Sequence, residues 1–353
     1  MDRLRVSFFI PGFSDGGAQK QCIHLLNELQ HRQDLDLSLI HIHGGVHEDT
    51  LHRTNLKVLK LPVTSNYDPR IPVLVRRFIQ QNKTDILISW LHACDIHSYF
   101  ATRLTNTRWL LTERDSSYPD DFKYKIRKFL GRHADGIVSN SSSGEKYWKS
   151  ASSAARSYVT SNIVSTTRTG SKHPSPGSTA IYVGRLEEQK NVLVLAEACS
   201  ILAQKRPDFR FVFVGAGSLR NEIESVVERA GVSGQITLAG FQRDITPFLS
   251  RADAVVSLSH HEGLPNALLE AVAWDVPVVA SAIPEHRELL GNDYPYLASD
   301  RHDPLACSTV IERALDDADA RSALAFAHGR MARMTPEAVG DDYIRIFNDL
   351  VGR

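Results

Sequence analysis

The sequence predicts an α/β protein made of two parallel-sheet units in tandem. Short, unbroken apolar runs of strand length alternate with longer segments of helical apolar spacing, as expected of strands covered by helices on both faces. The alternation comes in two series, separated at 164–179 by a polar stretch rich in Ser, Thr, Gly and Pro that has linker composition. A chain of 353 residues is long enough for two domains, each burying its own core.

In the first series, residues 6–10 read as the opening strand, 11–17 as a glycine loop and 18–31 as a helix. Strands are expected at 35–43, 57–61, 86–90, 109–112 and 137–139, with a helix at 71–82. The second series places strands at 180–184, 211–214, 236–238, 255–258 and 276–280, with helices at 192–204, 219–230 and 267–274. The tail from Pro336 through Tyr343, Ile346, Phe347 and Leu350 has helical apolar spacing. The expected division is therefore 1–165, a linker at 166–179, a second domain at 180–335 and a terminal helix at 336–353. Two such units leave a cleft between them, a favoured place for ligands.

A composition of 42% hydrophobic and 23% charged residues is that of a soluble globular protein. The zero net charge conceals an asymmetry: residues 1–170 carry 23 Lys and Arg against 16 Asp and Glu, whereas 171–353 carry 18 against 25. Either the first half meets something anionic or the two halves attract one another. Cys22, Cys94, Cys199 and Cys307 lie far apart with no C-x-x-C pair, which indicates neither a disulfide framework nor a zinc site and fits a reducing cytoplasm. No apolar run approaches the ~20 residues of a membrane span, and the first residues lack a signal-peptide core. Any membrane contact is expected to be peripheral.

The chemistry concentrates at 261–270, His-Glu-Gly-Leu-Pro-Asn-Ala-Leu-Leu-Glu. Glu262 and Glu270 stand eight positions apart across the Gly263-Leu264-Pro265 turn and a helix start near Asn266. The buried strand before this segment puts both acids at the carboxyl end of a sheet, where ligands of open α/β folds gather. Acids can hold hydroxyls while the positive end of the helix faces an anion, and hydroxyl-rich groups flanking a diphosphate describe a nucleotide sugar. At 183–191, Gly184 permits close backbone approach, Arg185 can bind phosphate with paired hydrogen bonds, and Lys190 adds a point charge. Gly16 and Gly17 occupy the strand-to-helix loop of the first series, where amides could approach phosphate. The run at 211–219 has Gly215 and Gly217, but Arg220 stands where a dinucleotide fingerprint needs its third glycine. Gly240 and Phe241 belong either to a loop that reads a base or to a plain connection. The adjacent His260 and His261 lack a third ligand at useful spacing, so no metal is expected, and no G-x-S-x-G is present.

Together these segments resemble glycosyltransferase family 4, the retaining nucleotide-sugar transferases of GT-B fold. The resemblance covers most of 180–300 closely and 1–160 loosely. It implies two Rossmann-like doubly wound domains facing each other across a cleft, with the C-terminal helix returning to the first domain. By this resemblance Arg185 and Lys190 are the leaving-diphosphate clamp, Glu262 meets donor-sugar hydroxyls and Glu270 the ribose. Gly263, Leu264, Pro265 and Asn266 line sugar and phosphate, with Gly16, Gly17, Gly240 and Phe241 completing the donor site. It further implies front-face displacement with retention, with no metal and no cofactor beyond the substrate. The family's N-domain histidine is replaced by a segment reading Glu113-Arg114, which leaves Arg114, Glu113 and His92 as alternatives for its place.

Two basic, partly amphipathic stretches, 69–79 and 122–130, suit an anionic lipid surface or lipid diphosphate carrier, or else are scaffold helices with solvated cations. No nucleic-acid motif is present. The expected activity is transfer of a hexose or N-acetylhexosamine from a nucleoside-diphosphate sugar, a UDP-sugar, to a saccharide acceptor that is lipid-linked, in surface polysaccharide assembly. The alternatives are a nucleotide-sugar epimerase on the same frame and a nonenzymatic nucleotide-sugar or glycan-binding module.

Overall fold

The computed structural model describes residues 3–14, 16–150, 155–164 and 177–353. Most of the expected linker, 166–176, lies outside them. The chain divides into two compact units, Val164–Ala332 being one, and the residues up to Ile163 together with Arg333–Arg353 the other.

The first unit runs β1 (Leu4–Ile10), α1 (Gly17–Leu29), β2 (Leu35–His41), β3 (Leu56–Lys60), α2 (Ile71–Gln81), β4 (Ile86–Ser89), α3 (His92–Thr102), β5 (Arg108–Glu113), α4 (Phe122–Gly131), β6 (Gly136–Ser139), α5 (Ser142–Lys149) and β7 (Arg156–Val159). Its seven strands are ordered β3-β2-β1-β4-β5-β6-β7, and each adjacent pair is parallel. β1 is an interior strand, and its register, Val6 against both Leu37 and Ile86, buries it on both faces. The order reverses between β1 and β4, which opens a switch point at their carboxyl ends.

The second unit runs β8 (Thr179–Val183), α6 (Val192–Lys205), β9 (Arg210–Val214), α7 (Arg220–Arg229), β10 (Ile236–Gly240), α8 (Thr246–Leu249), β11 (Ala254–Ser257), α9 (Asn266–Ala273), β12 (Val278–Ser281), α10 (Pro284–Leu290), β13 (Leu297–Ala298), α11 (Pro304–Asp316) and α12 (Ala325–Met331). Its parallel sheet is ordered β10-β9-β8-β11-β12-β13, with the switch point between β8 and β11. Both units are thus doubly wound, in the manner of a GT-B-like two-domain α/β fold.

The terminal helix α13 (Pro336–Val351) belongs to the first unit. Thr335 caps it by accepting from the Ala338 amide, Pro336 occupies its first turn, and Tyr343, Phe347 and Leu350 join the core of Val6, Phe8, Cys22 and Leu26.

Several helices are absent from the sequence reading for a physical reason. The buried face of α3 consists of Cys94, Asp95, Ser98, Ala101 and Thr102, which is too polar and too small to register as an apolar stripe. Helix α5 has one large apolar anchor, Trp148, and α11 is marked mainly by its cap, Asp303 before Pro304.

The polar face of α3 meets a buried charge network. Arg127 of α4 places Nε 2.7 Å from Asp95 and Nη1 3.0 Å from Glu113, with all three side chains at most 1% exposed. Burial pushes the Asp95 carboxyl up to about 6 against the pull of Arg127. Arg127 therefore ties α3, α4 and β5 together, and it is not one of the solvated cations expected of 122–130. Likewise Arg76 of α2 donates to the carbonyls of Phe100, Ala101 and Arg103 and so caps the C-terminal end of α3.

Replacing Arg127 with Leu is expected to destabilise the first unit by ~3–5 kcal/mol, because two buried carboxylates lose their counterion. Urea unfolding measures this, and a loss below about 1 kcal/mol would contradict the network's role.

Candidate functional site

The switch point of the second unit brings together the two segments singled out in the sequence. The chain leaves β8 through Gly184, whose φ of +156° few side chains tolerate, and the Tyr182 hydroxyl donates to the Arg185 carbonyl at 2.6 Å. Gly215 and Gly217 support this loop from below. A Cβ on Gly215 would lie 1.8 Å from the Gly184 carbonyl oxygen, and one on Gly217 2.3 Å from that of Leu186. The G-x-G at 215–217 is therefore spent on backbone-to-backbone packing, sealed by Leu186 N to Ala216 O at 2.8 Å.

Beyond Gly184, Arg185 is exposed and reaches Gln189 at 3.1 Å. The short 3₁₀ turn Glu188–Lys190 ends at Asn191, which adopts a left-handed conformation with φ 54° and donates to the Arg301 carbonyl at 2.7 Å. Gln189 joins this loop to the one after β11: its carbonyl accepts from the His260 amide at 2.9 Å and its side chain donates to the His261 carbonyl at 3.1 Å.

Across this junction Lys190 Nζ meets Glu262 Oε1 at 2.5 Å, with side-chain exposures of 17% and 11%. Ser259 Oγ donates to the same oxygen at 2.7 Å. Burial raises the Glu262 pKa, but the Lys190 ammonium and the Ser259 hydroxyl outweigh it and hold the carboxyl below its usual range. The acid is thus a fixed, ionised group.

Gly263, Leu264 and Pro265 are buried and lead directly into α9, where Glu270 lies partly exposed in the second turn. Pro265 is the N-cap residue and offers no side-chain acceptor, so no capping side chain there offsets the positive end of the helix dipole. Arg185, Lys190, Glu262 and the start of α9 therefore share one edge of the sheet. The edge combines a solvent-facing guanidinium, an ammonium engaged through one described hydrogen bond and a buried carboxylate, and it can bind an anion beside hydroxyl groups.

Gly240 ends the edge strand β10, two strands from the switch point. With φ +71° its carbonyl accepts from the Gly215 amide at 2.8 Å, and Phe241 follows half-buried. Gly16 and Gly17 lie in the first unit, where Gly16 is the extended N-cap of α1 at the carboxyl side of β1.

The three alternatives for the N-domain histidine are separated by their surroundings. Glu113 is wholly committed, accepting from the amides of Arg114 and Asp115, the Tyr118 hydroxyl and Trp148 Nε1, and forming an ion pair with Arg127. Arg114 stacks 4.0 Å over Trp90 and donates to Asn162 and the Tyr343 hydroxyl, which fastens α13 to β5. His92 opens α3 at the first unit's switch point, beside the rings of Tyr118 and Tyr124. Burial, then the nearby Arg127 and Lys123, push its pKa down to about 4.

His260 stacks on His302 with ring centroids 5.3 Å apart and accepts from Arg301, while His261 turns toward Gln189. Among the described residues no group of three or more His, Cys, Asp or Glu could hold a metal ion, and no helix is long and apolar enough to cross a membrane. The sequence reading missed Gln189, Ser259, Ser281 and His286. Ser259 and Ser281 are signalled only by polarity at the carboxyl ends of apolar strands, and Gln189 and His286, in a 3₁₀ turn and in α10, carry no signal.

Residues 165–327 match the family described as glycosyl transferases group 1. The lipopolysaccharide core biosynthesis glycosyltransferase LpsE of Rhizobium meliloti is 26% identical over 97% of this chain and 98% of its own length. The GalNAc-alpha-(1->4)-GalNAc-alpha-(1->3)-diNAcBac-PP-undecaprenol alpha-1,4-N-acetyl-D-galactosaminyltransferase of Campylobacter jejuni is 22% identical over 91% of each chain. Among solved structures, Anabaena HepE in complex with UDP and glucose superposes with a TM-score of 0.83 at 16% identity, covering 98% of this chain and all of that one.

Two measurements check the site. In a double-mutant cycle, Lys190→Met or Glu262→Gln alone is expected to destabilise the second unit while the pair together recovers part of the loss, a coupling of ~1–3 kcal/mol by urea unfolding. Additive losses would show the contact to be energetically idle. For His92, a folded pKa below the unfolded value of about 6.5 means that the folded protein binds this proton more weakly. Its contribution to stability is present above pH 6.5 and lost as pH falls toward 4. An NMR titration should give a midpoint near 4, and a midpoint near 6.5 would place the ring in water instead.

Proposed function

From the premise that this chain belongs, through its second unit, to glycosyl transferases group 1, we propose that it transfers a hexose or N-acetylhexosamine from a UDP-sugar to a lipid-linked saccharide. The setting is surface polysaccharide assembly. The observation that carries this reading is the Lys190–Glu262 pair at the β8/β11 switch point, with Arg185 above it and the start of α9 beside it. A departing nucleoside diphosphate gathers negative charge, and fixed cations with an aligned helix end stabilise that charge without reorganising. Arg185 and Lys190 take the diphosphate, Glu262 receives donor-sugar hydroxyls, Glu270 receives the ribose, and the segment from Gly263 to Asn266 lines the sugar.

The reaction proceeds with retention. The acceptor oxygen bonds to the anomeric carbon on the face that the diphosphate leaves, the bond to the phosphate oxygen breaks, and the acceptor proton passes to that oxygen. The relatives support the substrate classes: the R. meliloti protein is named for lipopolysaccharide core biosynthesis and the C. jejuni one for an undecaprenol-linked acceptor. For peripheral contact with a membrane the support is narrower than the basic composition of 122–130 implies. With Arg127 buried, and Lys123 and Lys128 half-buried over the rings of Tyr124 and Tyr147, what remains exposed on α4 is Phe122 and Phe129 with Lys125.

A panel of UDP-sugars incubated with and without saccharide acceptors tests the reading. Nucleotide release only with acceptor, giving a product of unchanged anomeric configuration, is the expected result. An isomerised donor without acceptor would make the protein an epimerase, and binding without turnover would make it a binding module. Arg185→Ala is expected to lower turnover ~10²–10³-fold with little change in melting temperature, because Arg185 is exposed and its one described bond is to Gln189. Unchanged turnover would remove Arg185 from the clamp. Lys190→Ala is a poorer probe, since it also strands a buried carboxylate.

A further inference from the structure

Glu262 is held by a chain of hydrogen bonds that crosses two strand ends into α10. Its Oε1 accepts from Ser259 Oγ at 2.7 Å, the Ser259 carbonyl accepts from Ser281 Oγ at 2.7 Å, and the Ser281 carbonyl accepts from His286 Nδ1 at 2.8 Å. Ser259, Ser281 and His286 are all 0% exposed. A carbonyl oxygen can only accept, so Nδ1 carries the imidazole proton. Burial holds the ring pKa below its usual value against the pull of Glu262, which keeps the ring neutral and leaves Nε2 as a bare acceptor. Nε2 is buried without a hydrogen-bond partner. An apolar side chain would avoid that unmet acceptor, so the identity of residue 286 is explained by what Nδ1 does for Ser281.

The chain also sorts the two oxygens of the acid. Oε1 is taken by Lys190 and Ser259, and no described residue engages Oε2. Which way Oε2 faces depends on where Ser259 is held, because Lys190, with a flexible stem, could follow the carboxylate through a range of positions.

We propose that His286 is a positioning residue for the donor sugar: acting through Ser281 and Ser259, it sets the Glu262 carboxylate so that Oε2 receives a sugar hydroxyl. This rests on the nucleotide-sugar reading above and adds α10 to the elements that select the donor. A site that hydrogen-bonds a hydroxyl discriminates more strongly than an apolar pocket, so the consequence falls on the sugar and not on the nucleotide.

The test measures binding of UDP, UDP-glucose and UDP-N-acetylglucosamine by calorimetry to the wild type, His286→Leu, His286→Asn and Ser281→Ala. The Asn side chain can offer an N–H where Nδ1 stood. In His286→Leu and Ser281→Ala, affinity for whichever UDP-sugar the wild type prefers should fall about tenfold or more, the size of one misplaced hydrogen bond, while affinity for UDP stays within about twofold. His286→Asn should recover most of the loss. Equal weakening of UDP and UDP-sugar, no weakening of either, or an Asn variant as poor as the Leu variant would overturn the proposal. If His286→Leu does not fold, Ser281→Ala and His286→Asn still decide it. A wild type that binds none of the three ligands would instead overturn the nucleotide-sugar reading.

Discussion

The ion pair between Lys190 and Glu262 joins segments 72 residues apart and closes the crevice edge of the second unit. Desolvating two charges is expensive, and the interior returns that cost only when the geometry is good and neighbouring hydrogen bonds complete the shell. The surrounding loops meet this condition. Gly215 and Gly217 let their backbone segment approach that of Gly184 and Leu186 more closely than any side chain would permit, and Gln189 ties the β8 loop to the β11 loop. A lysine and a glutamate at the same sequence positions on looser loops would be a solvated pair worth little.

The first unit contains a second buried charge cluster, and the contrast between the two is instructive. Asp95, Arg127 and Glu113 are enclosed, and Glu113 accepts four hydrogen bonds from side chains and amides around it besides its ion pair with Arg127. That cluster is shut off from solvent, even though Nη1 and Nη2 of Arg127 are left without hydrogen-bond partners, and it serves to lock helices to a sheet. Around Lys190 and Glu262 the shell is incomplete: one carboxylate oxygen and part of the ammonium's donor capacity are not used by the described residues, and both side chains keep some exposure. Unused hydrogen-bonding capacity that keeps some exposure, at the carboxyl edge of a doubly wound sheet, distinguishes a candidate binding group from an enclosed structural one.

Legibility from the sequence followed side-chain chemistry. Strands buried on both faces announce themselves as apolar runs, and for that reason the central strands β1, β4, β8 and β11 were readable. Helix α3 was not, because it buries polar and small residues against a charge network that is recognisable only once α4 is in place. Arg127 and Arg76 looked like surface cations because sequence shows charge but not which partner lies across the fold. The glycines at 215 and 217 hint at nucleotide binding without completing a dinucleotide fingerprint, because close approach to a backbone and close approach to a ligand call for the same missing Cβ.

The sequence by itself determined the α/β class, the two-series organisation and the segment containing Glu262 and Glu270, since these depend on local periodicity, turn chemistry and spacing along the chain. Only the tertiary structure decided that Lys190 and Glu262 are partners, that Glu113 and Arg114 are occupied within the first unit while His92 stays neutral beside two tyrosines, and that Ser259, Ser281 and His286 stand behind the acid. The reason is that burial and hydrogen-bond partnership are set by strand order. The reversal at β8 and β11 makes neighbours of residues that no sequence window contains, and their desolvation fixes their charge.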